Sequence, residues 1–415
     1  MKNNYLGIKQ YNSFLNLEKL KIVSILIILF CIPPYFFVAF DFDSLAPGLI
    51  ISSFIISLIL WEEFKSLSVI DVFIIASTIL LLSCDSLISL FFFGYKKPIL
   101  STIFIVPFIC SILISKLLCR SSTVNIISSL NILCLIILIL GFSSIIFSFS
   151  PGNYGALEKD VFPFYEQSHY ALALGILAFP VVLTPSGLYS SFLIIMIFSL
   201  GLLFPNLTMI VFAIALTPIA LARYGSKIYY SLILLLFVVM LLIVFIYSDK
   251  LDYFLGRINF LESENLTALV YLQGWQLLIE SLKESNGVGI GFQMLGSNIT
   301  PNVPASDVIQ ALYGKSFNLE DGGFLAAKLI SEFGIFGILL VASFVLLVIV
   351  FYIKVTKIYL IWHRHPELLI SVASIVGFLV ELMLRGVGYF SPSLIWFISM
   401  VFYFFYSRGR VNYHE

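Results

Sequence analysis

Glu166 and His169 stand three residues apart in Phe164-Tyr165-Glu166-Gln167-Ser168-His169-Tyr170-Ala171-Leu172, at the start of a long apolar run. On a helix that spacing places both on one face. A carboxylate and an imidazole so paired at a water–lipid boundary can act as an acid/base couple. The same letters also suit a plain helix start, with Glu and Ser as favourable first-turn residues. Both readings stand at this level. The other ionisable residues near apolar runs are few. Glu381 and Arg385 are four apart, as are Lys328 and Glu332, with Asp321 shortly before them. Arg385 suits either a packing ion pair or the bidentate grip of an anionic lipid head. Lys328 and Glu332 are expected to form a stabilising surface pair. Arg257 stands alone in a long polar segment, just beyond an apolar run, where it is either a solvated arginine or a phosphate ligand. Asp71 is expected to snorkel at one end of its run, and Asp85, deeper in the same run, has no evident role.

The elements that must position these residues are membrane helices. Of 415 residues, 60% are hydrophobic and 11% charged, with a mean hydropathy of +1.06. A soluble chain could not wet its surface with that composition. The formal charge is zero, which gives no basic footprint for nucleic acid. The cysteines lie in or beside apolar runs without CxxC or Cys/His spacing, so neither a disulfide nor a metal site is expected. Residues 1–19 lack the pattern of a cleaved signal peptide.

A bilayer core of roughly 30 Å takes about 20 apolar residues per helix. Such runs lie near 20–40, 45–61, 68–93, 98–118, 123–149, 169–186, 188–204, 206–222, 228–248, 323–353, 368–385 and 392–407. The chain is therefore expected to be all-α, a polytopic membrane protein of about twelve transmembrane helices. Residues 1–249 hold about nine of them with a short loop at 150–168, residues 250–322 form one large loop, and 323–415 hold about three more. The run 323–353 is too long to cross untilted and is expected to begin as an amphipathic extension. With the N-terminus inside, 14 of the 23 lysines and arginines fall on inner segments and four on short outer ones (Lys96, Lys97, Lys159, Arg385). That asymmetry predicts cytoplasmic termini, with both loops facing outward. Within the large loop, Asn265 to Lys283 has the apolar spacing of an amphipathic helix, and Asn286-Gly287-Val288-Gly289-Ile290-Gly291 reads as a tight turn after it. No strand–helix unit or Gly-Lys-Ser/Thr accompanies those glycines, which excludes a nucleotide loop.

Three segments together resemble the bacterial O-antigen polymerase family within the wider polymerase/ligase superfamily. They are Pro163-Phe164-Tyr165-Glu166-Gln167-Ser168-His169-Tyr170-Ala171-Leu172; Gly274-Trp275 with Gly287-Val288-Gly289-Ile290-Gly291-Phe292; and Leu329-Ile330-Ser331-Glu332-Phe333-Gly334-Ile335-Phe336-Gly337. Gln167 replaces the family's usual proline, and Gly323 and Phe324 stand where many relatives carry a His and a small polar residue. The large loop has no histidine, which favours polymerase over ligase. The resemblance implies a glycosyltransferase on the periplasmic face of the bacterial inner membrane. It would move a growing glycan from undecaprenyl pyrophosphate to a lipid-linked repeat unit, without metal or other cofactor, and a chain-length regulator protein is an implied partner. Glu166 and His169 are the catalytic candidates; Arg257 and Arg385, supported by Lys328 or Lys250, are the pyrophosphate ligands. A lipid-linked oligosaccharide flippase or other transporter is the alternative from another class, although its loops should be shorter.

Overall fold

In the computed structural model, the described residues are 17–147, 151, 161–183, 187–222, 265–362 and 365–411. They form helices α1 (Leu17–Ala39), α2 (Ala46–Ile59), α3 (Trp61–Phe64), α4 (Val69–Phe93), α5 (Lys97–Ser101), α6 (Ile105–Arg120), α7 (Thr123–Phe147), α8 (Gln167–Val182), α9 (Gly187–Leu203) and α10 (Leu207–Leu221). After them come α11 (Leu266–Glu284), α12 (Pro304–Tyr313), α13 (Leu325–Trp362), α14 (Pro366–Gly377), α15 (Leu379–Met383) and α16 (Pro392–Val411). No strand is present among the described residues. Every apolar run marked in the sequence coincides with helix except 228–248, which lies outside the described residues, as do Lys250 and Arg257. Among the described residues, six helical stretches are long and apolar enough to cross a membrane: Leu17–Ala39, Val69–Phe93, Lys97–Arg120, Thr123–Phe147, Leu325–Ile358 and Pro366–Met383. At about 1.5 Å per residue, a helix of α4's 25 residues reaches about 37 Å, enough for the hydrocarbon core.

The bundle is organised around α8. Every residue from Tyr170 to Val182 is buried, because α7, α9, α10, α14 and α16 all pack against this helix. Its sequence allows that crowding. Small residues (Ala171, Ala173, Gly175, Ala178) let neighbouring backbones approach, the usual packing device where lipid offers no hydrophobic drive between helices. At Gly175 a Cβ would lie 2.3 Å from the ring of Phe212 on α10, so only glycine fits. Tyr170 donates its hydroxyl to the carbonyl of Ile137 on α7 at 3.0 Å and so settles its one polar group. By contrast α4 and the long part of α13 present large apolar side chains outward, among them Phe73, Phe91, Phe92, Phe336 and Leu340, as lipid-facing helices do.

Polar groups collect at the two ends of the bundle. At the end away from the large loop, Asp71 caps α4 in a capping box with Ser68 and binds Lys116 at 2.6 Å, with Tyr406 also donating to it. Arg120 meets Glu63 at 2.8 Å nearby. The expectation that Asp71 snorkels toward water is thus corrected: its side chain is buried and fully engaged, joining α4, α6 and α16. A carboxylate so placed is stable because each oxygen has a donor.

The loop end is built on a broken helix. Within α13 the backbone turns at Gly334 (φ 57°, ψ −130°), separating a short first arm from the long membrane arm. This break replaces the expected amphipathic extension. In the loop, α11 matches the predicted amphipathic stretch; Asn265 caps it through Thr267 N, and Leu269, Val270, Leu277 and Leu278 form its buried face. The glycine turn after α11 fits into the α13 break. Ile290 N and Gly291 N donate to Ser331 O and Glu332 O at 3.0 Å each, and Ile335 N donates to Gly287 O at 2.8 Å. Those are carbonyls and an amide that the break removes from helical pairing, so the turn satisfies them.

Candidate active site

Glu166 is the N-cap of α8, yet its carboxylate makes no capping bond. It turns instead to Arg385, whose Nη2 donates to Oε1 at 2.5 Å, and it also accepts from the Ser168 hydroxyl. His169 Nε2 lies 3.5 Å from the same oxygen. Burial pushes the Glu166 carboxyl upward. Arg385, then His169, then the hydrogen bonds of Ser168 and Arg385 outweigh that and hold it at about 2, against an ordinary value of 4.5. Glu166 is thus an anion at any physiological pH and a weak proton acceptor. Its chemical use is to orient and stabilise its two cationic neighbours.

Two atoms of this cluster have unspent hydrogen-bonding capacity. His169 Nδ1 and Arg385 Nε are both buried without a hydrogen-bond partner. His169 lines a cleft enclosing about 310 Å³ of empty space, its opening included. Phe30 and Pro34 of α1, Phe164, and Leu172 and Ala173 of α8 form the apolar walls, with Ser391 and Ser393 opposite. An imidazole whose Nε2 faces a carboxylate presents Nδ1 as an acceptor, and the His169 side chain borders a largely apolar cleft.

Arg385 reaches Glu166 because α15 ends at Met383. The sequence spacing places Glu381 and Arg385 on one helical face, but past the helix end Arg385 swings across to α8. Glu381 remains buried and accepts from the Ser391 hydroxyl. The segment after Arg385 folds back on the start of α13, where a Cβ at Gly386 would lie 2.5 Å from Leu325 N. This brings a second polar group alongside. Lys328 Nζ pairs with Glu332 Oε1 at 3.2 Å, donates to the Glu320 carbonyl, and lies 5.1 Å from the centroid of the Tyr389 ring. The Tyr389 hydroxyl donates to Glu332 Oε2 at 2.7 Å. Burial, followed by the charge and hydrogen bond of Glu332, raises the Tyr389 phenol well above its usual range. The expected surface pair of Lys328 and Glu332 is corrected, since both side chains are about 1% exposed or less. Burial of that kind makes the pair a structural centre with its charges already matched.

The predicted residues Glu166, His169 and Arg385 therefore converge in one cluster, with Lys328 in the adjoining one. Sequence reading missed Ser168 as a ligand of Glu166, and it missed Asp85. The Asp85 carboxylate accepts from the backbone N–H of Phe292, at the end of the glycine turn, at 2.9 Å. The one available signal was its presence deep in an apolar helix. No group of His, Cys, Asp and Glu suited to hold a metal occurs among the described residues. No protein-family model matches the chain, and no curated protein or solved structure matches it either.

Proposed function

We propose that this membrane protein is a glycosyltransferase of the O-antigen polymerase kind. It would act on the periplasmic face of a bacterial inner membrane, with cytoplasmic termini and about twelve spans. The observation that carries the reading is the half-buried Glu166–His169–Arg385 cluster at the head of the central helix, with one acceptor and one donor left open. In the proposed reaction a hydroxyl of the lipid-linked repeat unit attacks the anomeric carbon of the growing glycan. The bond from that carbon to the undecaprenyl pyrophosphate oxygen breaks, and the pyrophosphate leaves with the bonding pair. His169 Nδ1 takes the hydroxyl proton, and Glu166, opposite Nε2, stabilises the imidazolium. Arg385 meets the charge developing on the pyrophosphate, with Arg257 as its partner from the loop. Of the two described cations, Arg385 is the better placed to do so, because its side chain is 23% exposed and that of Lys328 only 1%. Lys328 then supports the site from within its pair with Glu332. The activated lipid carrier supplies the driving force, so the step uses no nucleotide or other cofactor.

The test is purified protein in nanodiscs with undecaprenyl-pyrophosphate-linked repeat units, scored for lengthened glycan and released undecaprenyl pyrophosphate. His169→Ala and Arg385→Ala are expected to lower turnover by at least about 100-fold, the usual scale for a lost general base or an oxyanion donor. In cells, Arg257→Ala and Arg385→Ala should remove long-chain polymer and leave single repeats. Normal ladders in both would overturn the assignment. Movement of lipid-linked repeats between leaflets without elongation would favour the transporter reading.

A further inference from the structure

We infer that Asp85 is a positioning residue for the catalytic cluster, holding the glycine turn of the large loop and, through it, the segment that carries Arg385. The inference rests on the proposed glycosyl transfer. Asp85 lies on α4, a helix mostly turned toward lipid. A carboxylate there is costly and needs a reason. Its hydrogen-bond donor is Phe292 N at 2.9 Å, and a Cβ on the preceding Gly291 would lie 3.7 Å from its other oxygen, so the turn rests directly on it. Phe292 then stacks on Tyr389, with ring centroids 5.5 Å apart and planes at 19°. Tyr389 is anchored to Glu332 and stands four residues after Arg385. The intervening Gly388 lies against Asp321, where a Cβ would be 2.6 Å from Oδ1. The same α4–α5 hairpin grips the loop a second time, since Lys97 at the start of α5 pairs with Glu320.

The hold on Phe292 N requires an acceptor oxygen and no net charge, which asparagine also provides. Wild type, Asp85→Asn and Asp85→Ala are compared as full-length protein in nanodiscs. Turnover is measured with undecaprenyl-pyrophosphate-linked repeat units, and amide exchange is followed over 287–292 and 385–389. Asp85→Ala is expected to lower kcat about tenfold, the upper end of what one neutral hydrogen bond contributes, with KM within about twofold. Both segments should exchange faster. Asp85→Asn should stay within about twofold of wild type throughout. If Asp85→Ala cannot be recovered from membranes, Phe292→Ala cuts the same chain one step later and carries the same expectation. Unchanged exchange at 385–389, a KM rise with kcat intact, or Asp85→Asn failing as badly as Asp85→Ala overturns the inference. If wild type transfers no sugar while exchange follows this pattern, the reaction assignment fails and the hold of Asp85 on the Arg385 segment stands.

Discussion

Gly334→Ala tests whether the loop is truly seated in the broken helix. At φ 57° and ψ −130° the residue occupies a region that L side chains rarely adopt, and a Cβ would lie 2.1 Å from Gly287 O and 2.4 Å from Val288 C. Those are backbone atoms and cannot swing aside as a side chain can. Two outcomes are open to the variant. If the turn stays seated, the backbone strain alone costs about 1–3 kcal/mol, with the overlap in addition. If the turn lifts, the three hydrogen bonds joining 287–291 to 331–335 are lost, at about 1 kcal/mol each. Either route gives about 3 kcal/mol, confined to the loop, because the membrane arm of α13 makes its own helical bonds. The assay is hydrogen exchange of Ile290 and Gly291 in nanodiscs, where about 3 kcal/mol corresponds to a loss of protection of about 100-fold. Gly314→Ala is the control: it also has positive φ (72°), but nothing lies within 4 Å of its Cβ. It should cost about 1 kcal/mol and leave the 287–291 turn untouched. Wild-type protection at Ile290 in Gly334→Ala, or equal loss in Gly314→Ala, would refute the reasoning.

The ion pair at the head of α8 gives a pH dependence of definite sign. The Glu166 carboxyl is depressed from 4.5 to about 2 in the folded protein, so its contribution is complete above the unfolded value and is lost as pH falls from there through about 2. That contribution is about 3 kcal/mol at most, and thermal stability in detergent should show the loss in wild type while Glu166→Gln shows a flatter acid limb. At the opposite end of the bundle, Lys116→Met leaves Asp71 buried with its cation gone and should destabilise the fold by about 3–5 kcal/mol. Double replacement by Lys116→Met with Asp71→Asn should recover much of it, and the unfolding midpoint of the double variant decides the matter.

Much of the architecture was legible because membrane helices are specified locally: each apolar run buries its own backbone bonds, and a composition of 60% hydrophobic residues needs a lipid exterior. The helical stretch after Asn265 and the turn at Gly287 to Gly291 were legible for the same reason, through a capping side chain, apolar spacing and glycine. The pairing of Lys328 with Glu332 was legible too, being a matter of helical spacing, but its burial was not. A four-residue interval says which side chains meet and nothing about what covers them. Glu381 and Arg385 show the reverse failure. Their spacing pointed to a shared face, and the end of α15 at Met383 sent them to different partners.

What the chain determined by itself is the class of protein, the helices, and the small set of residues able to do chemistry in an apolar setting. Only the tertiary structure decided who faces whom. Glu166 and Arg385 are 219 positions apart, and Asp85 and Phe292 are 207 apart, intervals at which no local periodicity operates. Their meeting depends on the small residues that let α8 sink into the bundle and on a helix broken at Gly334. Long-range contacts of this kind are set by packing shape and by buried polar groups seeking partners, neither of which is written in any single stretch of sequence.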